Sequence, residues 1–509
     1  MKGYATPEMT RQYALSHSEL QYNQIGSTNL MVSQAGFGTY RVDVSIDAHH
    51  LALTEALLNG INLIDTSTNY ADGGSEKLVG AVLQNLTTDG RIDRESVIVV
   101  SKVGYLQGQN YHISQQLKTQ NKPIRELVEY GEGIEHCIHP DFIREQLTKS
   151  LDRLQLETVD IYLLHNPEYY LGWAVRSGIS MAKAREEYDR RIKNAFMYLE
   201  KEVEYGRIQY YGISSNTFPL YSDDPQFTSL ERVWEIAESI SFDHHFRVIQ
   251  LPLNLFENTA VTLANQSDNK SVLQFAADKD LAVLVNRPLN AFITNKLFRL
   301  VELYHVEKPS MKVTEGLLKR IVDEENNFMK EILPKLDMEK TTRKKLTGLL
   351  STGPYLALNW QKLGPYFQWM ESQLRFIVEQ INQAMQLLTT IDPMTDEIKH
   401  WIENYIANFN KALEGLTIKY RSDMAEMNNI LKTRIKDIDA DWQTENDDSL
   451  THTAIHALRS TEGITSTLVG MRREVYVHDI LNELHTPVSI KNRTQSWNTA
   501  AHRLQDIHL

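Results

Sequence analysis

Two hydrophobic patterns alternate along the first 290 residues. Short apolar, β-branched runs recur at QAGFGTY (34–40), INLID (61–65), SVIVVSK (96–102), VDIYLLH (159–165), RIQYYGIS (207–214), RVIQLPLN (247–254) and LAVLV (281–285). Between them, stretches such as HLALTEALLNG (50–60) and FIREQLTKSLDRL (142–154) place apolar residues at helical spacing. Apolar runs separated by helices predict parallel strands buried on both faces and joined by crossover helices. An eighth run, GITSTLVG (463–470), follows a helix-like THTAIHALR (451–459). Eight such units predict an α/β fold, a closed (β/α)8 TIM barrel.

The eighth unit arrives late. Residues 291–450 contain no strand-like run and read as long helices. Phe367, Leu374, Ile381 and Leu388 alternate with Met370, Ile377 and Ala384, the seam of a helix packed on another helix. After a break at Asp392-Pro393, a second stripe runs from Ile398 to Ile438, and an earlier helix pair is expected at 312–333 and 338–351. The chain therefore reads as a barrel over 1–290 and 451–509, with a helical bundle inserted over 291–450. Leaving after the seventh strand and returning before the eighth, the insertion is expected on the catalytic face. Long connections after Lys102 (105–140) and after His165 should join it in covering the pocket entrance.

Composition narrows the function classes. Lys+Arg total 53 against 66 Asp+Glu, a net charge of −13, and a surface of that sign repels phosphate backbones. The insertion itself is nearly balanced, with 21 basic and 24 acidic residues, so no nucleic-acid or membrane role is expected of it. A single cysteine, Cys137, excludes an intrachain disulfide and a multi-cysteine metal site. No run approaches 18 uninterrupted apolar residues, and MKGYATPEMTRQ lacks the apolar core of a signal peptide. The expectation is a cytoplasmic protein without a membrane span.

Barrel catalysts sit at the C-terminal ends of strands. There the sequence places Asp65, then Tyr70 five residues on, Lys102 and His165. Together they form a proton-transfer set. An ammonium favours the tyrosinate and draws down a phenol pKa of about 10, an aspartate anchors the ammonium, and a neutral imidazole donates to a developing alkoxide. Such a set reduces a carbonyl when a hydride donor faces it, and since no side chain supplies hydride, a nicotinamide cofactor is implied. Asn166, Tyr169 and Tyr170 directly follow His165 and are expected to line the substrate pocket. His136-Cys137-Ile138-His139 matches no zinc spacing, and no metal is expected. No G-x-G-x-x-G follows a strand.

The segments GFGTY (36–40), INLIDTSTNYADGGSEKLVG (61–80), VVSKVG (99–104), SLDRLQLETVDIYLLHNP (150–167), GRIQYYGISSNTF (206–218), VIQLPLN (248–254), RPL (287–289) and ALRSTEGITSTLVGMR (457–472) resemble the aldo-keto reductases, in family order. The resemblance implies a catalytic tetrad of Asp65, Tyr70, Lys102 and His165. It further implies that Ser214, Ser215, Asn216 and Gln250 hold the nicotinamide carboxamide, and that Gly38, Thr39 and Tyr40 approach the nicotinamide ribose. Arg287, Pro288 and Leu289, and Gly470, Met471, Arg472 and Arg473, would complete the cofactor site. Two places depart from the family pattern. Asn286 stands where many members stack a tyrosine on the nicotinamide, and Tyr476, Asp479 and Ile480 replace the usual adenosine-binding residues. Arg472 and Arg473 suit a 2′-phosphate, so NADP is expected ahead of NAD. The reading is a carbonyl reductase or alcohol dehydrogenase acting on a small molecule. Its competitor is a weakly or non-catalytic barrel whose helical insertion acts as a partner-binding or regulatory module, with a protein partner or a second copy as its occupant.

Overall fold

The structure, a computed structural model, describes residues 1–293, 296–303, 307–390, 394–442 and 449–504. The predicted break at Asp392-Pro393 lies outside the described residues. The chain divides into two compact units. One comprises Met1–Leu289 and Ile438–Arg503; the other is built from Asn290–Asp437.

The first unit is a closed parallel barrel. Its strands are β1 (Ala35–Gly38), β2 (Leu63–Asp65), β3 (Ile98–Val103), β4 (Val159–His165), β5 (Ile208–Ser214), β6 (Phe246–Pro252), β7 (Ala282–Asn286) and β8 (Ser466–Val469). Each pairs with the next in chain order, and β8 closes onto β1 through Thr467↔Ala35 and Val469↔Phe37. Alternate residues fill the interior: Ile98 and Val100, Ile161 and Leu163, Ala282 and Leu284. Ala5, Ile25, Leu30 and Val32 join that cluster, and the Ala5 N–H donates to Asp160 at the start of β4. The N-terminal segment thus plugs the end where the strands begin. Chemistry is left to the opposite rim.

Several expectations needed correction. The long connection after β3 has elements of its own that were not expected: a helix, Gly108–Thr119, and a small antiparallel sheet of Tyr105–Leu106, Val128–Gly131 and Ile134–His136. The return to the barrel begins at Ile438, ahead of the helix Leu450–Arg459. Trp442 there packs on Trp497, ring centroids 5.0 Å apart, while Asp439 and Asp441 pair with Arg493.

The second unit is helical but opens with a hairpin, Asn290–Ile293 against Lys296–Arg299, where no strand was expected. Its helices include Met311–Asn327, Lys340–Leu349, Val378–Thr389 and the 41-residue Asp396–Lys436. The predicted heptad over 367–388 is interrupted. A π-helical turn at Gln373–Ile377 inserts extra chain, so Leu374 faces solvent at 64% exposure while Trp369, Ile377, Ile381, Ala384 and Leu388 form the buried seam. On the long helix the buried stripe runs from Ile398 to Ile435, short of the expected Ile438 because the helix ends at Lys436, and it takes in Asn428, whose amide donates to the Val301 carbonyl.

Candidate active site

Asp65 ends β2, Lys102 stands next to last on β3, His165 ends β4, Ser214 ends β5 and Asn286 ends β7. Parallel register holds these ends level: Gly38↔Asp65, Ser214↔His165, Ser214↔Gln250 and Pro252↔Asn286 are direct pairs. Tyr70 starts a 3-10 turn, Tyr70–Gly73, just beyond β2.

Lys102 is the hub. Its ammonium donates to Asp65 Oδ2 at 2.8 Å, to the Thr66 carbonyl at 2.9 Å and to the Tyr70 hydroxyl at 3.2 Å, which uses all three protons. Burial pushes the Lys102 pKa down, but Asp65 and Tyr70 carry it above its ordinary value, so the ammonium stays charged. Burial likewise raises the Tyr70 phenol, and Lys102 pulls it back only in part. Tyr70 therefore holds its proton at rest. The His165 ring lies edge-on to Tyr70, centroids 6.0 Å apart, and burial and the Lys102 charge hold its pKa well below the ordinary value. Its imidazole is neutral. Ser67 Oγ lies 3.2 Å from His165 Nδ1.

The residues expected around the cofactor connect to this hub. Gln250 Nε2 donates to Asp65 Oδ1 at 2.8 Å, and Ser214 Oγ donates to Gln250 Oε1 at 2.9 Å. The Asn286 amide reaches the same Gln250 oxygen at 3.4 Å, while Asn286 Oδ1 is buried without a partner among the described residues. Thr39 is fully buried, bonded to the Asp65 carbonyl and accepting from Ser75; Tyr40 is exposed and meets Tyr70 edge-on at 5.3 Å. Ser215 is buried against Thr217, and Asn216 exposes its side chain. Arg287 pairs with Glu257 at 2.9 Å, next to buried Pro288 and half-buried Leu289. Gly470 is exposed and Met471 buried; Arg472 is half-buried, and Arg473 stands at the N-cap position of the helix Glu474–Leu484.

Beyond His165 the three expected pocket residues part ways. The Asn166 amide donates to the Tyr105 hydroxyl at 2.8 Å. Tyr169 stacks on Tyr130 at 4.0 Å and meets Tyr105 edge-on at 5.1 Å, one ring removed from His165. Tyr170 is 4% exposed, with its ring 4.2 Å from the Arg191 guanidinium, a packing position. Among the described residues no three His, Cys, Asp or Glu side chains gather as metal ligands, and no helix is long and apolar enough to cross a membrane.

A barrel with these strand-end groups is met again in a known family. Residues 35–297, just over half of the 509-residue chain, match the family described as Aldo/keto reductase. The chain belongs to the aldo/keto reductase family. Among curated relatives, the NAD(P)H-dependent D-xylose reductase of Scheffersomyces stipitis is 27% identical over 190 residues, 35% of this chain and 48% of that protein. The NADH-specific methylglyoxal reductase of Escherichia coli is 29% identical over 153 residues, 28% of this chain and 40% of that protein. The chain spans about half the length, or less, of these relatives. A solved glycerol dehydrogenase from Gluconobacter oxydans aligns over 96% of this chain and 97% of its own, at 16% identity and a TM-score of 0.46.

In this aldo/keto reductase the matched segment holds Asp65, Tyr70, Lys102 and His165, while β8 and Arg472 lie beyond it. Three residues beside these groups were not assigned to the site from the sequence. Arg41 lies close enough for its charge, after burial, to help lower the Arg472 pKa. Among the described residues, neither guanidinium has a carboxylate in salt-bridge reach. Arg41 directly follows the GFGTY run, which was the available signal. Glu168 is 2% exposed; it accepts the Asn216 N–H at 3.0 Å, leaves Oε2 without a partner among the described residues, and is pushed by burial up to about 7. The third is His136, whose Nε2 donates to the His165 carbonyl at 2.7 Å.

Proposed function

We propose that the chain is an NAD(P)(H)-dependent oxidoreductase that interconverts an aldehyde or ketone with its alcohol by hydride transfer, with NADP as the preferred cofactor. The observation that carries this reading is the hydrogen-bonded set in which charged Lys102 joins Asp65 to protonated Tyr70, beside the neutral ring of His165. A bound nicotinamide supplies the hydride. The chain's own residues handle the proton and the charge. Tyr70 holds a proton at its hydroxyl and gives it to the developing alkoxide; the tyrosinate that remains is stabilised by Lys102, which Asp65 keeps charged. His165 faces Ser67 through Nδ1, and its neutral ring, in the tautomer that carries the proton on Nε2, would donate to the substrate oxygen. In the reverse direction Tyr70 takes the alcohol proton.

The donor set fits the cofactor. Ser214, Ser215, Asn216, Gln250 and the Asn286 oxygen, which has no partner among the described residues, offer donors and acceptors suited to a carboxamide. Gly38, Thr39 and Tyr40 would flank the ribose, with Arg287, Pro288 and Leu289 on the opposite rim. Gly470, Met471, Arg472 and Arg473 precede a helix N-terminus, a favourable place for phosphate, and the charges of Arg41 and Arg472, without a carboxylate in salt-bridge reach among the described residues, support a 2′-phosphate. Relatives are named for D-xylose and methylglyoxal, so a panel of small carbonyls, sugars and dicarbonyls included, is the first test. NADPH oxidation should appear with at least one member. An absence of turnover across the panel, in either direction and with either cofactor, would overturn the reading.

A further inference from the structure

We propose that the small sheet after β3 is a positioning device for His165, with His136 and Tyr105 as its two contact residues. This rests on the oxidoreductase reading only in giving His165 a task; the contacts themselves are independent of it. At His165 the chain turns sharply. Asn166 adopts the left-handed region at φ 52°, a conformation few side chains tolerate, while its N–H still donates to the Ser214 carbonyl at 2.7 Å. Two bonds from the small sheet pin this turn. His136 Nε2 donates to the His165 carbonyl at 2.7 Å, and the Tyr105 hydroxyl accepts from the Asn166 amide at 2.8 Å. The Tyr105 ring also stands edge-on to His165, centroids 4.7 Å apart. One sheet therefore grips both the backbone and the ring of the same residue.

The sheet grows directly out of the strand that carries Lys102. Tyr105 pairs with His136, and the Cys137 N–H donates to the Gly104 carbonyl at 2.8 Å. Gly104 makes room for the grip: a Cβ there would lie 2.5 Å from both His136 Nε2 and the His165 carbonyl oxygen. His136 is 1% exposed, and burial holds its pKa at about 4, so the ring is a neutral donor at physiological pH. A buried imidazole is costly without a hydrogen bond, and the bond it makes is to His165. The rest of the sequence motif is spoken for, since His139 Nδ1 accepts the Asp141 N–H and caps the helix Pro140–Leu154. The two histidines serve two neighbouring structural tasks, and only His136 touches the catalytic rim.

The test uses the full chain with 13Cε1-labelled histidine, the His165 resonance being assigned from its loss in His165→Gln. His136→Phe keeps an aromatic ring but removes the donor; His136→Gln keeps an N–H in reach. For the best carbonyl of the panel, His136→Phe should lower kcat by about 10- to 100-fold, the scale of a misplaced catalytic group, with the NADPH Kd within about twofold. The His165 resonance should move, and His136→Gln should restore kcat to within about threefold. A folded His136→Phe protein with an unmoved His165 resonance would overturn the proposal, as would a His136→Gln variant as impaired as His136→Phe. Should His136→Phe not fold, Tyr105→Phe carries the same comparison, since it removes the acceptor for Asn166 while keeping the ring. An unmoved resonance there overturns the proposal as well. If the wild-type chain reduces no carbonyl, the oxidoreductase reading fails by itself, and the resonance comparison still decides whether the sheet positions His165.

Discussion

Arg41 and Arg472 stand close together with no carboxylate in reach among the described residues, and burial adds to the cost of the Arg472 charge. Such a pair is an anion site in waiting, and NADP differs from NAD by one phosphate. Replacing both arginines with alanine should therefore weaken NADPH binding by about 10- to 150-fold, the loss of a charged hydrogen-bond partner worth about 1.5–3 kcal/mol. NADH binding should change by less than about threefold. Fluorescence titration with both cofactors checks this, and an equal loss for the two would remove these residues from cofactor selection. The sequence alone pointed to Arg472 and Arg473, which follow β8, but not to Arg41. Arg41 comes near enough to act on the Arg472 charge because β1 and β8 are neighbours where the barrel closes. That Asp65, Tyr70, Lys102 and His165 gather at one rim was legible for the opposite reason. Each member ends, nearly ends or closely follows a strand whose apolar run marks it, so local pattern and barrel geometry together were enough.

At the scale of the elements, β5 and β6 show how closely the barrel is drawn. Their register shifts between Tyr211 and Gly212, and a Cβ on Gly212 would lie 1.8 Å from the Val248 carbonyl oxygen. Backbone cannot yield there as a flexible side chain would. Gly212→Ala should cost about 3 kcal/mol or more, seen as a fall in Tm of roughly 6–12 °C by circular dichroism or as failure to fold. A Tm within about 2 °C of wild type would contradict the close approach. The long barrel strands were readable because burial on both faces leaves continuous apolar runs. The short strands 105–106, 128–131 and 134–136 were not, since they mix polar and apolar residues in two to four positions. The paired strands Asn290–Ile293 and Lys296–Arg299 hid for the same reason. The π-helical turn at Gln373–Ile377 leaves no periodic trace at all; it turns an unbroken heptad into one that slips, and Leu374 is the residue left outside.

For the whole molecule, the second unit has its own core: Leu318, Ile321, Phe328, Trp369, Ile381 and Phe409 belong to one cluster drawn entirely from that segment. Residues 290–437 expressed alone should therefore melt cooperatively. Inside that unit Glu325 is 2% exposed, accepts from the Gly353 N–H at 3.0 Å and from the Tyr405 hydroxyl at 2.5 Å, and is pushed by burial up to about 7. A carboxyl raised above its unfolded value of 4.5 favours the folded state in its protonated form. Its stabilisation is complete below about pH 4.5 and is lost as pH rises through about 7, on the order of 3 kcal/mol in all. The segment should melt lower at pH 8 than at pH 5.5, and Glu325→Gln should flatten the difference; an unchanged slope would show that Glu325 is not the group responsible. In the other unit, eight strands bring Tyr70, Lys102, Asp65 and His165 to one rim, and the claim that this rim reduces carbonyls stands or falls on the Tyr70 hydroxyl. The measurement is kcat for Tyr70→Phe beside its NADPH Kd. A fall in kcat of about 10²- to 10⁴-fold, with Kd moved less than about threefold, is the predicted result; a variant that keeps more than about a tenth of the wild-type kcat would contradict it.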